Sequence, residues 1–219
     1  SEVVAVDVDE AGLADAAGAG AETVACDLTR ADERARLYEV AGEIDGLVNA
    51  AGILRVVAIP DVTEQDWDAV LAVNVKALFF VARDLGMRMP EGASIVNLSS
   101  VSGKSNASTD AIAYGASKAA VLAITRGLAH YLGSRGVRVN AVLPGITDTP
   151  MQERFLAEAG AIRGVMPEAL HEERLKTVPL QNRGCTPREM ADAISFLLSS
   201  SASYVTGQAL AVDGGLVMY

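Results

Sequence analysis

Apolar residues in this chain fall into short blocks separated by helical stretches. Glu2 to Val8 reads EVVAVDV, a near-continuous β-branched run, the pattern of a strand buried on both faces. A helical stretch follows and stops at Gly18 and Gly20. Glu22 to Cys26 is a second strand, Ala31 to Ala41 a helix, and Ile44 to Asn49 a third strand. Thr63 is placed to cap a long helix that opens Thr-Glu-Gln-Asp, with acids where the helix dipole favours them. Ser94 to Leu98 and Val137 to Leu143 are further apolar strands, the second stopped by Pro144-Gly145. Between them lies an Ala- and Leu-rich helix from Ala113 to Leu132. Thr149 to Lys176 is predicted helical and more polar, Pro187 opens a helix to Leu198, and Ala209 to Val212 is a last strand.

Strands alternating with helices predict a Rossmann-type α/β fold, a doubly wound parallel sheet in three α/β/α layers, built as one domain over residues 1–219. Ligands of such sheets bind at the carboxyl ends of the strands, so the residues just after each strand are the ones to inspect.

The first strand ends in Asp7, an acid that can accept from both ribose hydroxyls of an adenosine and that repels a 2′-phosphate. It is equally well placed as a solvated turn acid. Asp27-Leu28 follows the second strand. Asn49-Ala50-Ala51-Gly52 follows the third, small residues that let backbone pass close to a flat ligand or simply turn. Asn74 sits inside the apolar helix VLAVNVKALFF, where its amide competes with the backbone. It marks either a local irregularity with a satisfied amide or a site for a proton-relay water.

The strand ending Asn-Leu-Ser-Ser is followed by Tyr114-Gly-Ala-Ser-Lys118. Tyr114 and Lys118, four apart, share a helix face. A phenol with a pKa near 10 is a poor acid–base group at neutral pH, and a neighbouring ammonium lowers that pKa by favouring the phenolate. Ser100, just past a strand, can hold a carbonyl or alcohol oxygen beside the tyrosine. A Tyr-x-x-x-Lys pair alone arises by chance; after a buried strand ending in Asn-Leu-Ser-Ser it is far more specific. Pro144-Gly145 leads to Thr147 and Thr149, a tight turn whose exposed backbone could hold a carboxamide.

Taken in order, VVAVD, CDL, NAAG, NV, NLSS, YGASK, RVNAVLPG and YVTGQALAVDGG resemble the short-chain dehydrogenase/reductase family along the whole chain. The resemblance implies an oxidoreductase that interconverts a secondary alcohol and a ketone. Tyr114 would be the general acid–base, Lys118 its pKa-lowering partner and ribose ligand, Ser100 the substrate-orienting hydroxyl, and Asn74 the holder of a relay water. Asp7, Asp27, Leu28, Asn49, Ala50, Ala51, Gly52, Tyr114, Lys118, Pro144, Gly145, Thr147 and Thr149 would touch the cofactor, NAD rather than NADP because of Asp7. Residues 150–180 would form a lid over the substrate, and the C-terminal strand and long helices would build a homotetramer or dimer.

Two departures stand out. The interval from Ser100 to Tyr114 is one residue longer than in the family, which keeps Ser99 and Ser102 in view. The family's opening strand, Thr-Gly-x-x-x-Gly-x-Gly loop and helix have no counterpart here; Gly18-Ala19-Gly20 follows a helix instead of opening one. The absent strand belongs mid-sheet, and the loop would bind a pyrophosphate at a helix N-terminus. A segment preceding Ser1, a truncation that the sheet accommodates, or a relative that binds no dinucleotide would each account for it, and the abrupt start at a strand favours the first. The last would make the chain a cofactor-free catalyst or a binding or structural subunit.

The net charge of −10 argues against nucleic acid and anionic membranes as partners, though not against an anionic small substrate at a local site. No apolar run reaches the roughly 20 residues that span a bilayer. Cys26 and Cys185 have neither metal-ligand spacing nor a disulfide framework, so no metal and a cytoplasmic location are expected.

Overall fold

The computed structural model describes residues 2–105 and 108–218. Its elements run β1 (Val4–Asp7), α1 (Leu13–Gly18), β2 (Glu22–Ala25), α2 (Ala31–Ala41), β3 (Gly46–Asn49), α3 (Glu64–Leu71) and α4 (Leu78–Gly86). They continue with β4 (Ser94–Leu98), α5 (Ile112–Leu132), β5 (Arg138–Pro144), α6 (Pro150–Arg163), α7 (Pro167–Leu175), α8 (Pro187–Leu198) and β6 (Ala209–Val212). All strand pairs are parallel, so the fold is the Rossmann-like α/β architecture.

The strands divide into two sheets. One has the order β3-β4-β5-β6; the other is the pair β1-β2. Successive side chains on a strand face opposite ways. Ile95 of β4 therefore packs with Val139 under α4 and α5, while its neighbour Val96 packs with Val142 under α8. Helices on both faces give the three layers. Among the described residues β1 pairs with β2 and β3 with β4, each on one edge, and the family resemblance implies a strand between β1 and β3. The two sheets share one apolar cluster, in which Val6, Val24 and Leu47 pack with Leu37 and Tyr38 of α2 and Val81 and Leu85 of α4.

Polar residues inside the larger sheet are all used. The Arg138 guanidinium donates to the carbonyls of Leu197, Leu198 and Ser199 at 2.7, 3.1 and 3.1 Å, closing the C-terminus of α8. Asn140 donates to Val205 O at 2.8 Å and accepts from Gln208 N at 3.1 Å, tying the loop before β6 to β5. Thr63 caps α3 with a full capping box, as its sequence predicts.

One predicted element is corrected. The helix expected from Thr149 to Lys176 is two helices, because Gly164 takes a left-handed φ of 66° and Pro167 cannot continue a helix interior. It opens α7 instead.

Candidate active site

The site is built where β4 runs onto α5. After Leu98 the chain makes a tight turn, Val101–Gly103, that lies directly on the helix. A Cβ on Gly103 would sit 2.7 Å from the Lys118 carbonyl oxygen, so only glycine permits this approach. The Ser99 hydroxyl donates to that same carbonyl at 2.7 Å and fastens the strand end to α5. Ser100 Oγ accepts from the Ser102 amide at 3.1 Å, and the Ser100 side chain lies close enough to the Tyr114 phenol to favour its ionised form. Of the three serines, Ser100 is thus the one set against the phenol, whereas Ser99 acts on backbone.

Lys118 is buried and its Nζ donates to Leu98 O at 2.7 Å. The same nitrogen lies 5.5 Å from the centroid of the Tyr114 ring. Burial pulls the Lys118 amine down to about 8, because a charge is costly away from water. Burial likewise pushes the Tyr114 phenol up, and Ser100 pulls it back in part.

Asn74 occupies a π-helical turn, Ala72–Ala77, between α3 and α4. Its amide is fully satisfied: Nδ2 donates to Ile53 O at 2.9 Å and to Ser117 Oγ at 3.0 Å, and Oδ1 accepts from Ile53 N at 2.8 Å. The irregularity read from the sequence is therefore present, and it joins the loop after β3 to α5. A Cβ on Gly52 would lie 3.3 Å from Asn74 Oδ1 and 3.6 Å from Lys118 Nζ, so Gly52, Asn74 and Lys118 meet at one point.

The other predicted residues also lie at strand ends. Asn49 donates to Asn97 Oδ1 at 2.9 Å, and Asn97 to Thr125 Oγ1 at 3.0 Å, a buried ladder from β3 to α5. Ala50 and Ala51 follow it, exposed. Pro144 ends β5, and a Cβ on Gly145 would lie 2.8 Å from Asp213. Thr147 Oγ1 is buried without a hydrogen-bond partner. Thr149 caps α6 by accepting from Gln152 N at 3.3 Å. Asp7 ends β1, and Asp27 and Leu28 lie in the loop after β2, so these three stand beside the two-stranded sheet instead. Asp7 is exposed and accepts from Asp9 N at 3.0 Å. Asp27 accepts from Thr29 N and Oγ1 at 2.9 and 2.6 Å, which holds its carboxyl below the ordinary range. Leu28 O accepts from Arg34 Nη1 at 2.7 Å.

Sequence reasoning passed over the Leu98 carbonyl, Ser117 and Asn97. An asparagine within an apolar strand was the available signal for Asn97; a backbone carbonyl carries none.

Residues 1–217 match the family model described as Enoyl-(Acyl carrier protein) reductase. The 3-oxoacyl-[acyl-carrier-protein] reductase FabG of Thermotoga maritima is 42% identical over 179 residues, covering 81% of this chain and 68% of that protein. The chain belongs to the short-chain dehydrogenase/reductase family. Two solved structures of similar fold were determined with nicotinamide dinucleotides. NAD+-bound xylitol dehydrogenase superposes with a TM-score of 0.88 at 26% identity, over 98% of this chain and 88% of that one. A single-substitution variant of actinorhodin polyketide ketoreductase with NADPH gives 0.89 at 32% identity, over 100% and 88%. This short-chain dehydrogenase/reductase is accordingly an oxidoreductase. Among its described residues no group of three or more His, Cys, Asp or Glu is placed to hold a metal, and no helix is long and apolar enough to cross a membrane.

Proposed function

We propose that the enzyme interconverts a secondary alcohol and a ketone with NAD(H), through Ser100, Tyr114 and Lys118, with Asn74 as a positioning residue. The observation that carries this reading is the single cluster in which the Lys118 ammonium lies beside the Tyr114 ring and the turn that carries Ser100 is fastened against the same helix. A bound nicotinamide dinucleotide supplies the hydride donor or acceptor. The unpartnered Thr147 Oγ1 supports the fit of such a group. Lys118 Nζ and Tyr114 would hold its ribose. Pro144, Gly145, Thr147 and Thr149 would hold its carboxamide end, and Asp7, Asp27, Leu28 and the Asn49–Gly52 loop its adenosine side.

In ketone reduction the Tyr114 O–H bond breaks and its proton goes to the substrate oxygen, while Ser100 donates a hydrogen bond to that oxygen. In the reverse direction the phenolate takes the proton back. A positive charge on Lys118 would favour the phenolate form against the burial that pushes the phenol up. With a pKa of about 8, Lys118 can itself pass on a proton near neutral pH. Asn74 holds the Gly52 loop against α5, and its π-turn is where a relay water would sit.

The substrate lid would be residues 150–180, supported by Phe155, Leu156 and Leu170, which cluster with Tyr114 and Leu54. Exposed Tyr131 on α5, Phe196 on α8 and Leu210 on the edge strand β6 support assembly into a dimer or tetramer. Two unpaired cysteines support a cytoplasmic setting.

Tyr114→Phe tests the reading. Turnover of alcohols by kcat/KM should fall by about 10²- to 10⁴-fold, while NADH binding, followed by cofactor fluorescence, stays within a few-fold. Turnover near the wild-type rate would refute it. Asp7→Ala should move the NAD/NADP preference toward NADP by roughly tenfold, the loss of one carboxylate–ribose interaction. An unchanged ratio would remove Asp7 from the site.

A further inference from the structure

A cavity of about 200 Å³ opens between the loop after β5 and the α6–α7 pair. Ile146, Arg163, Leu170, Arg174, Thr177 and Leu216 line it, with Glu173. Leu170 also belongs to the apolar cluster that holds Tyr114, and so does Phe155, over whose ring the Arg174 guanidinium lies at 4.5 Å from the centroid. The cavity and the tyrosine are therefore joined through one apolar cluster.

Its two arginines differ. Arg163 is neutralised by the buried Asp110 carboxylate through an ion pair. Arg174 makes no hydrogen bond or ion pair among the described residues, and its Nη1 is buried with no partner. Glu173 is exposed and forms no ion pair with it. Burial and the nearby Arg163 charge both push the Arg174 guanidinium down, so this cation stands in a setting that disfavours it. His171 Nδ1 on the same helix and Gln152 Nε2 on α6 are also buried without partners. A fixed guanidinium fork with free donors is suited to a carboxylate, sulfonate or phosphate oxygen pair.

We propose that this cavity receives an anionic group of the substrate, held by Arg174, so that the alcohols and ketones turned over carry a compact oxyanion at the end away from the reacting carbon. This rests on the reading of Tyr114 above as the acid–base residue. Phe155 fixes the guanidinium by stacking, and Asp110 keeps Arg163 from adding a second full charge.

Two measurements test it on the whole chain. The first needs no turnover: acetate, methanesulfonate and inorganic phosphate are titrated into the wild type and into Arg174→Met by calorimetry. At least one anion should bind the wild type and bind at least tenfold more weakly to Arg174→Met, with Arg174→Lys between them. Arg188→Met, on the exposed face of α8, is the control for general loss of charge. The three anions distinguish which oxyanion is preferred. The second compares secondary alcohols with and without that anionic terminus. The wild type should favour the anionic member in KM by at least tenfold, and Arg174→Met should abolish most of that ratio. Anions that fail to bind the wild type, or that bind Arg174→Met and wild type equally, overturn the proposal. Anion binding that depends on Arg174 together with full turnover in Tyr114→Phe would instead overturn the catalytic reading and keep the anion site while removing its assignment opposite Tyr114.

Discussion

The two sheets of this molecule follow the same βα pattern and reach different states. In the larger one, β4 and β5 are sealed: Ile95, Val96, Val139, Ala141, Val142 and Leu143 are all inaccessible. Every polar group that shares their interior, from Ser94 to Asn97, Arg138 and Asn140, has a named acceptor or donor. In the smaller one, β1 and β2 are half-open, with Glu22, Thr23 and Ala25 exposed and one edge of β1 unpaired. The difference shows that strand-like sequence is not enough. A parallel strand is secured by neighbours on both edges and helices on both faces, and β1 has a neighbour on one edge. The proposed acid–base cluster stands on the sealed sheet and the proposed adenosine-side residues beside the open one.

The largest effect should come from emptying the sealed sheet. Ile95→Ala should lower unfolding free energy by roughly 2–5 kcal/mol in urea, the range for large-to-small changes in a closed core. Val6→Ala, half-buried in the shared cluster, should lose only about 1 kcal/mol. Equal losses would mean that the two sheets unfold as one and that the contrast drawn between them is wrong.

The second effect separates the sheets by pH. Lys118, in the sealed region, has a folded pKa of about 8 against an ordinary 10.5, so the unfolded chain binds more protons between those values. Stability should therefore rise with pH from about 8 to 10.5, by on the order of 3 kcal/mol, and Lys118→Met should flatten that rise. The smaller sheet carries the opposite limb. Asp27 is held below its ordinary 3.8 by Thr29, so its contribution is complete above that pH and disappears as pH falls through the folded value. Thr29→Ala should weaken that acid limb and leave the alkaline one intact, a smaller change than the other two because Asp27 is near the surface.

Local rules were sufficient for much of this protein. Apolar blocks located β1, β2, β4, β5 and β6, but of these only β4 and β5 are buried on both faces; the two-faced burial expected of β1 is not reached. Proline at a first turn and threonine with an acid three residues on located α3 and α8. Tyr114 and Lys118 could be placed on one helix face from their spacing alone, because the helical period is fixed by backbone hydrogen bonds. Ser100 was legible only as a residue after a strand. That it, and not Ser99 or Ser102, meets the tyrosine depends on Gly103 letting the β4 turn lie against α5, a contact between segments with no periodic signature. The same holds for Asn74. Its misfit in an apolar helix is visible in the sequence, but its partners Ile53 and Ser117 are 21 and 43 residues away. The break at Gly164, the division into two sheets and the free guanidinium of Arg174 were likewise decided in three dimensions. Sequence sets the propensity and chemistry of each residue. Which polar atoms end with a partner, and which are left without one, is settled only by what the folded chain packs beside them.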